Sequence, residues 1–194
     1  MSLVGQKAPT FKADALVGND FKSISLEDHK GKWVVLFFYP LNFTFVCPTE
    51  ITAFQDKLGQ FKEAGAEVIA VSVDSKYSHL AWNNTARNRG GLGGVQFPLV
   101  SDLSKEVCKA YDVLLPSGIA LRALFLIDPQ GTIQHTTVNF LSVGRSVDET
   151  LRVLRAFQTV EKTGEVCPAN WTPGKPTMPQ NPSGAAIFFE KHAK

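Results

Sequence analysis

The feature that most constrains the fold is an unbroken apolar run that leads into a helical repeat. Residues 32–38, KWVVLFF, show no alternation of polar and apolar side chains, which is typical of a strand buried on both faces. Pro40 ends this run. Apolar residues then return, from Pro48 onward, at the spacing of one helix face: Ile51, Phe54, Leu58 and Phe61. A buried strand that leads into a helix predicts an α/β protein.

The rest of the chain extends this alternation and then departs from it. A second strand is predicted over residues 67–73, a helix over 78–87, a short strand over 97–100 and a helix over 104–111. The segment 123–139 instead holds two β-rich runs joined by Asp-Pro-Gln-Gly, which predicts a hairpin. A final amphipathic helix is indicated by Val147, Leu151, Leu154, Phe157 and Val160. The pattern predicts a mixed central β-sheet flanked by helices.

The C-terminal part of the chain has a different sequence pattern. After Gly164 the periodicity is lost and prolines recur, at positions 168, 173, 176, 179 and 182. We therefore expect a folded domain over residues 1–163 and an irregular C-terminal arm over residues 164–194. The arm carries Cys167 and ends in a short helical candidate, residues 185–192.

Charge and composition exclude several classes of function. The chain has 194 residues and a net charge of +2, and its lysines and arginines are scattered, so we expect no nucleic-acid partner. The densest apolar run is too short to span a bilayer, so we expect no membrane association. The N-terminal sequence MSLVGQKAPTFKAD lacks the apolar segment of a secretory signal. We therefore predict a cytoplasmic location, in which thiols stay reduced.

The most informative of the three cysteines is Cys47, at the predicted helix start. Pro48 suits the first helical position, which puts Cys47 near the N-cap, where the helix dipole favours a thiolate. Raising the ionised fraction of a thiol from about 3% to about 90% at pH 7 requires about 3.4 kcal/mol. A helix terminus contributes about 0.3–1 kcal/mol, so we expect an arginine near the sulfur. Ionisation alone does not make a fast enzyme, and donors must also stabilise the transition state.

The sequence around Cys47 argues against two of the reactions that a reactive thiol can perform. A local dithiol couple needs Cys-x-x-Cys, and the sequence here is Thr44-Phe45-Val46-Cys47. A cysteine hydrolase needs a histidine base. The four histidines lie in no recognisable signature, and we expect surface or core roles for them: His29, His79, His135 and His192. A single activated thiol with a distant second cysteine favours a cycle of sulfenic acid and disulfide.

These residues also carry a family resemblance. The segment Pro40 to Cys47 matches the Pro-x-x-x-Thr-x-x-Cys signature of peroxiredoxins, and similarity to the typical 2-Cys group extends over nearly the whole chain. The matching segments include FFYPLNFTFVCPTE, DSKYSHLAW, LRALFLID, VGRSVDETLR and GEVCPANW. The resemblance implies a thioredoxin-like fold and the reduction of hydrogen peroxide and organic hydroperoxides without a metal or organic cofactor.

The resemblance also implies roles for residues around the thiol. Cys47 would be the peroxidatic cysteine, which attacks the peroxide. Thr44 would hydrogen-bond the peroxide, and Arg122 would hold both the thiolate and a peroxide oxygen. Pro40 would shield the reacting atoms from water.

The same resemblance implies roles for three further residues and a quaternary structure. Glu50 and Arg145 would orient Arg122. Cys167 would be the resolving cysteine, contributed by the partner subunit of a homodimer, with dimers assembled as a decamer of five. A thioredoxin-like protein or a flavoprotein disulfide reductase would reduce the resulting disulfide.

Some positions depart from the family pattern or have no role in it. Cys108 matches no functional position, and we expect a buried structural thiol. The family associates the GGLG segment and a C-terminal Tyr-Phe pair with sensitivity to overoxidation. Phe188 replaces that tyrosine, so we expect intermediate sensitivity.

Two alternatives to a peroxidase remain at this point. One is a redox-switched oligomeric chaperone, in which the thiol controls assembly only. The other is a thiol redox relay, in which the Cys47 sulfenic acid passes its oxidation to a partner protein.

Overall fold

The computed structural model describes residues 2–192, which include one seven-stranded mixed sheet and a set of helices. The strand order is β2-β1-β5-β4-β3-β6-β7. The strands are β1 (Lys12–Val17), β2 (Asp20–Ser25), β3 (Trp33–Phe38), β4 (Ala66–Ser72), β5 (Leu99–Ser101), β6 (Arg122–Ile127) and β7 (Ile133–Asn139). The predicted α/β, thioredoxin-like class is confirmed.

The described residues also form α-helices, between the strands and after them. They are α1 (Cys47–Asp56), α2 (Leu58–Glu63), α3 (Lys76–Asn83), α4 (Glu106–Ala110), α5 (Val147–Thr163) and α6 (Pro182–His192). Short 3-10 helices cover Leu26–His29 and Arg87–Arg89.

The central strand β3 explains how the fold positions a site. Every residue of β3 is buried. The strand is also central in the sheet, since β4 pairs with it in parallel on one side and β6 antiparallel on the other. A parallel pair needs a crossover connection, which α1 and α2 supply between β3 and β4. Since β6 runs opposite to β3, with Leu36 beside Phe125, the first residue of β6 lies near the end of β3. The loop that leads from β3 into α1 begins at this same end of the strand.

The structure differs from the sequence-based prediction in several elements. The N-terminal hairpin of β1 and β2 was not predicted. The helix expected after Pro48 is divided at Lys57, which is the C-cap of α1 and precedes α2, and Gly59 in α2 has low helix propensity. The helix predicted over residues 104–111 is shorter in the structure, since α4 begins at Glu106, after Lys105 at φ 63°.

The chain divides into two compact units, of which the first ends at Val147 and the second begins at Asp148. The second unit includes nearly all of α5, the proline-rich arm and α6. Within the arm, Val166 and Met178 form an antiparallel bridge, and Trp171 donates its indole hydrogen to the carbonyl oxygen of Lys175 over 2.9 Å. The sequence-based boundary at residues 163 and 164 stays a prediction.

Candidate active site

Cys47 is the first residue of α1 and is completely buried. The N-cap is Val46, one residue earlier than predicted, with Pro48 following Cys47 in the first turn. This places the Cys47 sulfur at the positively polarised end of the helix, as the sequence indicated. The sulfur is therefore protected from solvent.

Arg122 brings a positive charge into contact with this sulfur. Its Nη1 lies 3.3 Å from Sγ of Cys47, and its Nε donates to the carbonyl oxygen of Leu141 over 2.7 Å. The side chain is only 3% exposed. Arg122 reaches Cys47 because it is the first residue of β6, which lies beside the end of β3. The arginine expected from the ionisation argument is thus in contact with the thiol.

Glu50 lies one helical turn after Cys47, so both side chains share a face of α1. Its Oε2 accepts a hydrogen bond from Arg122 Nη1 over 2.8 Å, and its other oxygen faces Arg145. Burial alone raises the pKa of Glu50, but the hydrogen bonds and charge of Arg145, together with the charge of Arg122, hold that pKa below its usual value. Glu50 is therefore a carboxylate at neutral pH.

Arg145 completes the cluster from the segment before α5. Its backbone N–H and its Nε each donate to Glu50 Oε1 over 2.7 Å, and its Nη2 donates to Oε2 over 3.1 Å. Its Nη1 donates to the carbonyl oxygen of Ala123 over 2.5 Å, and its guanidinium lies 5.3 Å from the centre of the Phe37 ring. Two guanidinium groups and one carboxylate leave this cluster with a charge of about +1. The cluster therefore presents a net positive charge to the Cys47 sulfur.

Thr44 and Pro40 lie in the loop between β3 and α1, residues 39–46. The hydroxyl of Thr44 is partly buried and donates to the carbonyl oxygen of Leu41 over 2.9 Å. Its lone pairs stay available to accept a hydrogen bond from a substrate. Pro40 is buried. The backbone acceptors at Leu141 and Ala123 were missed, because carbonyl groups leave no signature in a sequence.

The other two cysteines occupy different environments. Burial, followed by the neighbouring Asp102 carboxylate, raises the pKa of the fully buried Cys108 thiol strongly, which makes it unreactive. Cys167, in the second unit, is partly exposed, and its Sγ donates to the carbonyl oxygen of Ala156 over 3.6 Å. Burial raises the pKa of Cys167, whereas the charge of Arg152 acts in the opposite direction. All three thiols are free in the structure.

The described residues were also searched for other kinds of site. Across residues 2–192, no three His, Cys, Asp or Glu side chains are arranged to hold a metal ion. In the same range, none of the helices combines the length and apolar character that crossing a bilayer requires.

Comparison with known proteins identifies the family. Residues 4–136, more than half of the chain, match the AhpC/TSA family, and residues 156–186 match the C-terminal domain of 1-Cys peroxiredoxin. The mitochondrial thioredoxin-dependent peroxide reductase of Homo sapiens is 59% identical over 97% of this chain and 74% of its own. The chloroplastic 2-cysteine peroxiredoxin of Chattonella marina var. antiqua is 58% identical over 96% of this chain and 97% of its own.

A solved structure agrees with these relatives. The crystal structure of reduced 2-Cys peroxiredoxin from Plasmodium vivax superposes with a TM-score of 0.96 at 47% identity, over 98% of this chain and all of that one. The comparisons favour a peroxidase and do not favour the alternatives of a chaperone or a redox relay.

The same comparisons correct one prediction. The cytoplasmic location expected from the sequence is wrong, since the similar relatives are mitochondrial or chloroplastic proteins. That prediction depended on the lack of a secretory signal, a feature that does not distinguish the cytosol from the interior of an organelle.

A buried thiol in contact with an arginine, on a thioredoxin-like sheet, thus agrees with the sequence matches: the chain belongs to the AhpC/TSA family of peroxiredoxins and is a thiol-dependent peroxidase.

Proposed function

We propose that Cys47 is the peroxidatic cysteine of this enzyme. Its thiolate sulfur bonds to the terminal oxygen of a hydroperoxide, the O–O bond breaks, and the remaining oxygen leaves as an alkoxide or hydroxide that takes up a proton. The sulfur is oxidised to a sulfenic acid and the peroxide is reduced to an alcohol or water. Hydrogen peroxide and organic hydroperoxides are both substrates of this reaction.

The observation that carries this proposal is the contact between Arg122 Nη1 and Cys47 Sγ at 3.3 Å. The guanidinium stabilises the thiolate before the reaction. Because negative charge moves from sulfur to the leaving oxygen, the same cation also stabilises the transition state. Glu50 and Arg145 are positioning residues that hold Arg122 in place through buried hydrogen bonds.

Thr44 and Pro40 have complementary roles in substrate binding. Since the Thr44 hydroxyl already donates to the carbonyl oxygen of Leu41, its oxygen accepts a hydrogen bond from the O–H of the hydroperoxide. This hydrogen bond turns the terminal oxygen of the substrate toward Cys47. Pro40 has no backbone N–H, and its buried ring limits the access of water to the sulfur.

Cys167 is the proposed resolving cysteine. Its thiol condenses with the Cys47 sulfenic acid of the partner subunit, which forms a disulfide and releases water. A homodimer is supported by β7, which is an edge strand with exposed apolar side chains in and just after it: Val138, Phe140 and Val143. We propose further association into a decamer of five dimers, supported by a second exposed apolar set, Phe21, Phe43, Phe45 and Tyr77.

A thioredoxin-like protein is the proposed electron donor, with a flavoprotein disulfide reductase as the alternative. The names of the mitochondrial relatives, thioredoxin-dependent peroxide reductases, favour the former. The same names, with that of the chloroplastic relative, support an organellar location.

Two cysteine variants test this function. Cys47→Ser is expected to abolish turnover, whereas Cys167→Ser keeps a single oxidation of Cys47 per subunit and loses steady-state turnover. After mild peroxide treatment, a non-reducing gel of the unmodified protein is expected to show a band at twice the monomer mass that disappears with reductant and in either variant. Steady-state peroxidase activity in Cys47→Ser would refute the assignment, and Cys108→Ser is the matched control with unchanged activity.

A further inference from the structure

The loop that carries Thr44 toward Cys47, residues 39–46, is held by buried hydrogen bonds that the peroxidase chemistry does not use. The side chain of Asn42, in the middle of this loop, is only 7% exposed. It lies beside the completely buried ring of His79 on α3. Neither residue was expected to act at the site from its sequence.

The hydrogen positions in this cluster follow from one backbone acceptor. Nε2 of His79 lies 3.1 Å from the carbonyl oxygen of Val100, and since a carbonyl only accepts, Nε2 carries the proton. Nδ1 of the neutral ring is then an acceptor, and Asn42 Nδ2 donates to it over 3.0 Å. The same nitrogen donates to Ser78 Oγ over 2.9 Å, while Asn42 Oδ1 accepts from the Tyr39 hydroxyl over 2.9 Å.

The backbone of the loop is held at the same position. The N–H of Asn42 donates to Oδ2 of Asp74 over 3.0 Å, and the Ser72 hydroxyl donates to the same oxygen over 2.7 Å. The next residue, Phe43, has a positive φ of 53° and places its ring centre 5.9 Å from that of Trp82. The middle of the loop is therefore fixed through both its backbone and its side chains.

These bonds matter because the closed loop and the disulfide are incompatible. A completely buried Cys47 sulfur cannot contact a second thiol, so the loop has to open before Cys47 and Cys167 react. Opening of residues 40–46 separates Asn42 from two groups that are themselves buried, the Tyr39 hydroxyl and Nδ1 of His79. Leaving buried polar groups unpaired is costly, which favours the closed loop.

We propose that Tyr39, Asn42 and His79 form a clamp that keeps this loop closed after Cys47 is oxidised, and thereby sets the rate of disulfide formation. The inference rests on the proposed function of Cys47 and Cys167. In the open loop, the Cys47 sulfenic acid and the Cys167 thiol form a disulfide and water. In the closed loop, a second hydroperoxide instead oxidises the sulfenic acid to a sulfinic acid and is itself reduced to an alcohol or water.

Two buried tyrosines offer a matched pair of variants. Tyr39→Phe removes the hydroxyl that donates to Asn42. Tyr111→Phe removes a hydroxyl that donates to the carbonyl oxygen of Pro9 over 2.8 Å, away from the loop. Both side chains are at most 1% exposed, so each variant loses one buried hydrogen bond and one oxygen atom. Asn42→Ala is a second clamp variant, for use if Tyr39→Phe does not fold.

The experiment separates the two fates of the sulfenic acid. Each reduced protein is mixed with hydrogen peroxide, quenched at increasing times with an alkylating reagent, and analysed by mass spectrometry for disulfide and sulfinic acid at Cys47. Loss of one buried hydrogen bond in the clamp is expected to accelerate disulfide formation about tenfold and to lower the sulfinic fraction correspondingly. Tyr111→Phe is expected to stay within about twofold of the unmodified protein despite a similar loss of stability.

The outcomes are distinct. Disulfide formation in Tyr39→Phe and Asn42→Ala at the rate of Tyr111→Phe would overturn the clamp while leaving the peroxidase assignment intact. An unmodified protein that forms no oxidised Cys47 at all would instead refute the proposed function, and the role of the clamp with it.

Discussion

Arg145 encloses the carboxylate of Glu50 with its backbone N–H at 2.7 Å, its Nε at 2.7 Å and its Nη2 at 3.1 Å. The carboxylate therefore has one fixed orientation, in which Oε2 faces Arg122 at 2.8 Å. Arg122, held in this way, places its Nη1 3.3 Å from the Cys47 sulfur. In the proposed mechanism, Glu50 and Arg145 therefore act as positioning residues for Arg122.

Replacement of Arg122 by lysine tests whether geometry as well as charge is needed. Lysine retains the positive charge but cannot contact Cys47, Glu50 and the carbonyl oxygen of Leu141 together, as the planar guanidinium does. We expect kcat/KM for hydrogen peroxide to fall by about 10²–10³, the range for loss of one transition-state donor. Arg87→Lys, in an exposed ion pair with Asp56, is the control and should retain activity. Equal activity of Arg122→Lys and the unmodified protein would contradict a role for the geometry of the guanidinium group.

Glu50→Gln should destabilise the fold as well as the site. Neutralising this carboxylate leaves Arg122 and Arg145, both nearly buried, without their shared counter-charge. Breaking a buried ion pair in this way costs about 3–5 kcal/mol. Urea unfolding measures the loss, and Glu149→Gln, in an exposed pair with Arg152, should lose less than about 1 kcal/mol. Similar losses in the two variants would argue against a buried ionic cluster.

The same carboxylate predicts a pH dependence of stability. The pKa of Glu50 is lower in the folded protein than its ordinary value of 4.5, so below 4.5 the unfolded chain binds more protons and stability rises with pH. Its stabilising contribution is present in full above 4.5 and is lost as the pH falls through the folded pKa. Urea unfolding at several acidic pH values should show a steeper dependence for the unmodified protein than for Glu50→Gln. Identical slopes would show that Glu50 is not held ionised by folding.

Arg152 should control the reactivity of Cys167. Its charge opposes the effect of burial on the pKa of Cys167, and its Nη1 donates to the carbonyl oxygen of Trp171 over 2.7 Å. In Arg152→Gln we expect the pKa of Cys167 to rise and its alkylation by iodoacetamide at pH 8 to slow. Mass spectrometry of the Cys167 peptide gives the rate at each pH, with Arg155→Gln as control. An unchanged pH profile would exclude Arg152 from this role.

Phe188 should limit overoxidation of Cys47. The family pattern has a tyrosine at this position, and Phe188 lacks the hydroxyl. We expect sulfinic acid at Cys47 only with excess peroxide, and about threefold more of it per turnover in Phe188→Tyr, consistent with one added hydrogen bond. Phe189→Tyr, at an exposed neighbour, is the control. Complete overoxidation of the unmodified protein at near-stoichiometric peroxide, followed by mass spectrometry, would contradict this prediction.

Much of the fold could be predicted because its central strands have strong local patterns. The buried run in β3 and the helical spacing after Pro48 depend on neighbouring residues alone. The hairpin of β1 and β2 was missed because its residues are mostly exposed or partly buried and lack a strong alternation.

Only part of the candidate site could be predicted from the local sequence. Cys47 stands out through its local context, whereas Arg122 and Arg145 lie far from it in the chain and were assigned from the family resemblance. Asn42 and His79 were missed, because hydrogen bonds between residues separated by 37 positions leave no pattern in a single sequence. Long-range pairing of polar side chains is decided by the tertiary fold.

The most direct measurement is to trap the sulfenic acid. Cys167→Ser protein is treated with one equivalent of hydrogen peroxide in the presence of dimedone, and the labelled peptides are identified by mass spectrometry. We predict one adduct per chain, at Cys47, and none at the buried Cys108. Labelling at Cys108, or the absence of label at Cys47 in folded protein, would contradict the account.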